Sequence, residues 1–494
     1  MAEQRLYRFG PLERHGLIFG LTGGQLGVGL GGVFLTLVDM HIFSTVPASL
    51  LAVLILTLSG GIAFMGMNGR ALYEWIPVMA KWMVRKNRGE TTVASRAHLA
   101  GQSIRTRQSI EGPGALAGLT IISAQLPTGE FGVIKDSYSN TYTAVVSVRG
   151  RSFALLDHEE KRRLLSQWAD VLAGVGREGS PITRVQWIER TLPETGDTVA
   201  QYMREAVALP RNSPAVQSYL ELISEAGPVS QQHEAFIALQ VDAMRARRSL
   251  RTTNLVGDEG PCIVLGREIS GFASRLQSAE LDVLGVLTPR ILGQVIRVAY
   301  DPESRHALAR QSLVSPEIAG VAPHNAWPLV CDTAWTHMRS DSAFNATYWC
   351  AEWPRIEVGP DFLAPLLLQT WAQRTVSVTM EVVSPIKAQR DVEAARTANI
   401  TDEEMRNKAG FVTTVRRQRE QENVVRREQE LADGHTDVRF SGYVTVTADS
   451  EDELELACAE VEQQASQSRL VLRRLLGEQD VAFTYTLPLC RGLK

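Results

Sequence analysis

The chain has 494 residues, 44% of them hydrophobic, with 51 basic and 55 acidic side chains and a formal net charge of −4. That length exceeds one ordinary domain, and the acidic balance excludes the strongly basic footprint of a duplex-binding protein. A mean hydropathy of −0.07 excludes a polytopic transporter but leaves room for a short membrane anchor.

Two long uncharged runs open the chain. Leu17–Val38 covers 22 residues and Ile42–Met67 covers 26, parted only by Asp39, Met40 and His41. A bilayer core about 30 Å thick needs roughly 20 apolar residues in a helix. Both runs reach that length. So short a break predicts a two-helix transmembrane hairpin, because lipid offers no partner to an unpaired backbone group. Arg5, Arg8 and Arg14 precede the hairpin, and Arg70, Lys81, Arg85, Lys86 and Arg88 follow it, while the turn has neither Lys nor Arg. The positive-inside rule then expects a multi-pass protein of the inner (plasma) membrane with both termini cytoplasmic. A cleaved signal peptide is the rival reading. The second span and the missing small-residue cleavage site stand against it.

Gly16, Gly20, Gly24, Gly27 and Gly31 form overlapping small-xxx-small patterns in the first span. Such spacing lets another helix approach closely, whether the second span, another copy or another membrane subunit. Gln25 predicts a hydrogen bond across helices. The stretch from Arg70 to Arg88 is amphipathic. Trp75 and Trp82 suit the headgroup region of a lipid bilayer and Arg85 and Lys86 suit anionic lipid, so these four are expected as interfacial anchors. Pro77 is expected to kink or restart that helix.

Residues 91–114 are polar and rich in Ser, Thr, Arg and Gly, and read as a linker. Strands follow at Ala115–Leu126, Phe131–Lys135 and Tyr142–Val148, an antiparallel meander broken by turn residues. A helix capped by Asp157, a strand at Ile182–Leu192, helices at Asp197–Val207 and Pro214–Glu225, and a strand at Glu234–Val241 complete a first α+β domain, 115–255. A second, 256–385, has helices at Arg267–Gln277 and Pro289–Tyr300, strands at Leu281–Leu287 and Thr375–Val383, and an aromatic cluster of Trp335, Phe344, Tyr348, Trp349 and Trp353 around His337. A lone His among aromatics reads as structural. Residues 386–435 alternate in charge sign and predict a solvated helical arm, broken near Gly410. Residues 436–494 form a closing unit: strand Phe440–Thr447, helix Glu451–Ser466, an apolar stretch Leu470–Leu476 and strand Ala482–Leu487.

The chemistry motifs are missing. There is no Gly-Lys dipeptide for a phosphate loop, no His-Glu-x-x-His, no Cys-x-x-Cys and no Gly-x-Ser-x-Gly. Cys262, Cys331, Cys350, Cys458 and Cys490 have no paired spacing and fit a reducing cytosol. No catalytic residue, metal site or cofactor is expected, and interleaved Glu around Arg416 and Arg417 speaks against nucleic-acid contact.

Residues 11–88, with Pro11-Leu12-Glu13-Arg14, the hairpin and Glu74, Trp75, Pro77 and Trp82, resemble the PrgI-like small membrane proteins of conjugation clusters. Residues from about 115 onward are similar to the non-catalytic amino-terminal domain of the TraC-like conjugation ATPases. Phe440-Ser441-Gly442-Tyr443-Val444-Thr445-Val446, Leu475-Leu476-Gly477-Glu478-Gln479-Asp480-Val481-Ala482-Phe483 and Leu487-Pro488-Leu489 carry that likeness, with Lys494 where the motor would begin. The whole arrangement, including Ala351-Glu352-Trp353-Pro354-Arg355, resembles actinobacterial membrane proteins encoded with type IV secretion parts. The resemblance implies an α+β cytoplasmic body on a two-helix transmembrane hairpin. It implies a non-enzymatic scaffold that docks a separate motor ATPase beside other inner-membrane subunits, with a homo-oligomer left open. Leu470, Leu472, Leu475 and Leu476 exceed what one packed face needs and are the expected docking residues. The alternatives are a membrane-tethered hydrolase with an unrecognised site and an adaptor of an unrelated complex.

Overall fold

The computed structural model describes residues 23–42, 46–67, 70–94, 114–150, 153–193, 213–214, 216–218, 231–250, 257–369, 371–408, 415–432 and 436–493. Gly16, Gly20, Gly410, the helix expected at 197–207, most of the one at 214–225 and the linker beyond Ala94 lie outside them.

Two apolar helices, α1 (Gly23–Ile42) and α2 (Val46–Phe64), pack side by side. Gln25 Nε2 donates across to the Ala63 carbonyl at 3.3 Å. A Cβ on Gly32 would lie 2.1 Å from Ser59 Oγ, so the pairing runs antiparallel. α1 is long and apolar enough to cross a membrane, and Ser49–Phe64 is a shorter apolar helix. The second uncharged run is thus not helical throughout. It ends in a tight hairpin of β1 (Gly66–Met67) and β2 (Arg70–Ala71). α3 (Leu72–Asn87) follows and passes through Pro77 without restarting. Pro77 is the sixth residue of α3, so the helix gives up one backbone bond, that to the Tyr73 carbonyl.

The body is α+β. Its strands are β3 (Thr92–Ala94), β4 (Leu119–Leu126), β5 (Gly129–Asp136), β6 (Thr141–Arg149), β7 (Ile182–Pro193), β8 (Gln231–Asp242), β9 (Asp282–Val286), β10 (Val330–Thr333), β11 (Met338–Ser340), β12 (Ala343–Glu352), β13 (Gln373–Val382), β14 (Val438–Ala448) and β15 (Val471–Arg474). Among the described residues they form one 13-stranded sheet in the order β3-β10-β11-β12-β14-β13-β7-β8-β6-β5-β4, with β9 on β6 and β15 on β12. Its ladders are antiparallel. β13 pairs with both β7 and β14, so the sheet is continuous across the divisions drawn at 255/256, 385/386 and 435/436. The stretch read as linker begins as β3, paired to β10.

Strand residues alternate between two cores, the period of a pleated strand. Ala144, Val146, Ile237 and Leu239 face one side, under α4 (His158–Val175) and α6 (Glu259–Ser278). Val145, Ile188, Phe236 and Ala238 face the other, under α7 (Pro289–Tyr300) and the segment Phe483–Cys490. A third core lies between β12, β14 and α12 (Glu451–Gln467). Asp157 caps α4, accepting from Glu160 N at 2.8 Å. Beyond the shorter helices α5 (Ala243–Ser249), α8 (Ser304–Val314) and α9 (Ala364–Leu368), the charged arm is a pair of helices, α10 (Pro385–Lys408) and α11 (Val415–Ala432), bridged by Arg396 and Glu428 at 2.9 Å.

One expected strand is absent. Ala482–Leu487 is instead the end of α13 (Gln479–Phe483) followed by turns. The backbone of the last residues is held by side chains rather than by a ladder. Gln186 Nε2 donates to the carbonyls of Tyr485 and Leu487, each at 2.9 Å. Arg184 reaches those of Cys490 and Leu493. An apolar, β-branched composition cannot distinguish a strand from a strap bound this way.

Candidate functional site: the junction of hairpin and body

Outside the cores, α3 meets the turn between β15 and α13 through aromatic and charged side chains. α3 carries Trp75 and Trp82 seven positions apart, hence on one face. Both close on Trp335 of the body, with ring centroids at 6.2 Å and 5.6 Å. Trp75 is only 3% exposed, and the Arg70 guanidinium stacks over it at 5.6 Å. Trp335 in turn rests on Gly477. That glycine has φ +74°, donates its N–H to the Trp335 carbonyl at 2.8 Å, and would place a Cβ 2.5 Å from the ring. Only glycine meets both demands.

Charge completes the lock. Arg85 binds Asp480 through its two terminal guanidinium nitrogens, at 2.5 and 3.2 Å, with the two side chains 16% and 13% exposed. The Asp480 hydrogen bond raises the Arg85 guanidinium above its ordinary value. Arg70 stands 4.0 Å from Glu478. Between these acids Gln479 is fully buried: its Oε1 accepts from Thr347 N at 2.8 Å and its Nε2 donates to the Leu475 carbonyl at 2.9 Å. The run Leu475–Asp480, prominent in the sequence, is thus a receptor for the chain's own third helix.

This overturns part of the expected anchor set. Trp75, Trp82 and Arg85 face protein, not headgroups. An indole or guanidinium serves a protein interface as well as a lipid one, and sequence spacing does not say which. Lys86 is exposed. The glycine set divides as well. A Cβ on Gly24 would strike Tyr73 of α3, whereas Gly27 and Gly31 have nothing within 4 Å. The close helix contact uses Gly32, which the reading did not single out, although Gly24 and Gly32 lie eight apart on one face.

The expected docking leucines are largely committed. Leu470 and Leu475 are buried, Leu470 in the third core and Leu475 with Tyr443 and Ala482. Leu472 packs partly on the third core, and Leu476 is half-buried. β15 pairs with β12, so its alternate residues are needed by the sheet. The aromatic cluster also separates. Trp353 packs edge-on against Phe440 at 5.0 Å, while His337 lies by Phe344 and stands 3.7 Å from Glu451.

Among the described residues, the acid–base cluster at His233 does not form a nucleophile relay. His233 Nδ1 meets Glu189 Oε1 at 2.6 Å, and the Thr191 hydroxyl donates to the same oxygen at 2.8 Å. A nucleophile relay needs the hydroxyl at one ring nitrogen and the carboxylate at the other. Here both crowd Nδ1. A pocket between α7 and the strap is lined by Arg190, Phe236, Phe483 and Pro488. Its cation already binds Glu234 at 2.6 Å and the Val295 carbonyl at 2.9 Å. Among the described residues no group of three His, Cys, Asp or Glu could hold a metal ion. Burial pushes the thiol of Cys262 up to about 11 and those of Cys331 and Cys350 up to about 12. Burial raises Cys458 and Cys490 as well, so all five stay protonated and unreactive at neutral pH.

Compared with protein-family models and with curated proteins, the chain matches none.

Proposed function

We propose that the chain is a membrane-anchored scaffold of a conjugative or type IV secretion apparatus, whose α+β body receives a separate motor ATPase. The observation that carries this reading is the junction. An apolar helix pair continues into α3, and α3 is locked to the body by the tryptophan stack and the Arg85–Asp480 pair. A hydrolase on a tether needs no such lock. A scaffold that must hold a motor at a fixed height over a membrane does. The motif resemblance supports the same reading. In this reading α1 and α2 are the transmembrane hairpin, and both termini lie in the cytoplasm.

Two measurements test it. The chain is purified from native membranes and its co-purifying proteins are identified. A Walker-type ATPase among them is expected, and its reproducible absence sinks the scaffold role. In intact cells Ser44→Cys is expected to label with an impermeant maleimide and Ser95→Cys is not. The reverse pattern sinks the topology.

A further inference from the structure

We propose that α3 is a two-sided strut whose outward face lies on an anionic lipid surface while its inward face holds the body. The proposal deepens the membrane-anchored reading and rests on it. At about 3.6 residues per turn, Trp75, Trp82 and Arg85 share the side turned to the body. The flank beside it exposes Ile76, Met79, Met83 and Val84, with Ile76 56% and Met83 58% exposed. Ile76, Met79 and Met83 make one apolar stripe about a quarter-turn round the helix from the tryptophans, with Val84 beyond it. Lys81 and Lys86 fall on its two margins, both exposed. Arg88 follows, 69% exposed and 3.9 Å from Glu90. A helix of a water-facing body turns polar residues outward. This one turns outward an apolar stripe edged with cations, the pattern of a helix lying in a headgroup layer.

Position selects the occupant. α3 leaves from the mouth of the apolar pair: Leu72 N donates to the Met65 carbonyl at 3.0 Å. At the same level Gly24 of α1 lies against the ring of Tyr73. Phe64, at the end of α2, and Met65 after it are exposed apolar residues as well. Exposed apolar side chains thus stand on both sides of this connection, and basic margins complement phosphate headgroups.

The test uses the full chain in vesicles. The native cysteines are buried, so an environment-sensitive fluorophore on Met83→Cys or Met79→Cys reports that position alone. Val53→Cys on exposed α2 surface and Tyr138→Cys on the body serve as references. In vesicles containing phosphatidylglycerol, nitroxide-labelled lipid is expected to quench the probe at 83, 79 and 53 but not at 138. Quenching at 83 is expected to fall several-fold in pure phosphatidylcholine, or with Lys81→Gln and Lys86→Gln together, while that at 53 holds. Quenching at 53 with none at 79 or 83 overturns the strut and leaves the hairpin standing. No quenching at 53 overturns the membrane reading and the strut with it. A probe at 83 that is shielded only when the motor ATPase is added assigns the face to a protein and overturns the lipid proposal.

Discussion

At the scale of residues, Arg85 and Asp480 join segments almost four hundred positions apart. Exposed ion pairs contribute about 0–1 kcal/mol, but a bidentate pair withdrawn from water contributes more. A double-mutant cycle of Arg85→Ala and Asp480→Ala should show a coupling of about 1–3 kcal/mol by denaturant unfolding in detergent. Additive single effects would remove the pair from the account of the junction. Gly477→Ala meets both a positive φ and the Trp335 ring. It should lower the thermal midpoint, with a loss of about 1–3 kcal/mol, and shift tryptophan emission to the red. Asp136 supplies a pH dependence. Burial pushes its carboxyl up, but the hydrogen bond from Arg491 and the N–H groups of Ser139 and Tyr138 outweigh burial and hold it below 3.8. A depressed folded value means stability that is complete above the unfolded value and is lost as pH falls through the folded one. Between about pH 5 and pH 3 the parent should therefore lose more stability than Asp136→Asn. Equal losses would show that the Arg491 contact carries no proton linkage.

At the scale of elements, the helix pair offers a sharp contrast. Gly32 faces Ser59 at a distance no side chain tolerates, and Gly27 faces open space. A disulfide between Gln25→Cys and Ala63→Cys should form readily in the parent and in Gly27→Leu. In Gly32→Leu its yield should drop several-fold. Equal yields would mean that α1 pairs through another face. The glycine spacing was legible in the sequence, but its phase was not. Several overlapping registers share a spacing of four, and only the packing of α1 decides that Gly32 meets α2 and Gly24 meets α3. The strands from Leu119 to Arg149, the helix capped by Asp157 and the helix Pro289–Tyr300 were legible because turn residues, a cap and a first-turn proline mark them locally. The strap after Phe483 was not. Its partners Gln186, Arg184 and Thr379 lie over a hundred residues away, and nothing local announces them.

At the scale of the molecule, Leu470 and Leu475 are buried while Leu472 and Leu476 are half-buried, so in the proposed scaffold the arm α10–α11 is the next candidate surface for a motor. Its root is fixed: Ala388 and Val392 are buried, Arg427 binds Asp437 at 2.7 Å and Arg439 binds Asp391 at 2.8 Å. The sequence between residues 398 and 424 alternates in charge sign. Replacing residues 398–424 with a short Gly-Ser turn should leave the thermal midpoint of the body unchanged and reduce recovery of the ATPase from native membranes. Undiminished recovery would move the docking surface off the arm.

By itself the sequence determined the apolar helices, the acidic α+β body and the charged arm, because hydrophobic period, turn chemistry and charge pattern are local properties. The tertiary structure decided which way amphipathic residues face. Trp75 and Trp82 have the chemistry for lipid or for protein, and the presence of Trp335 over Gly477 turned them inward. That choice left Ile76, Met79 and Met83 outside, a surface no spacing rule could assign before the partner of the tryptophan face was in place.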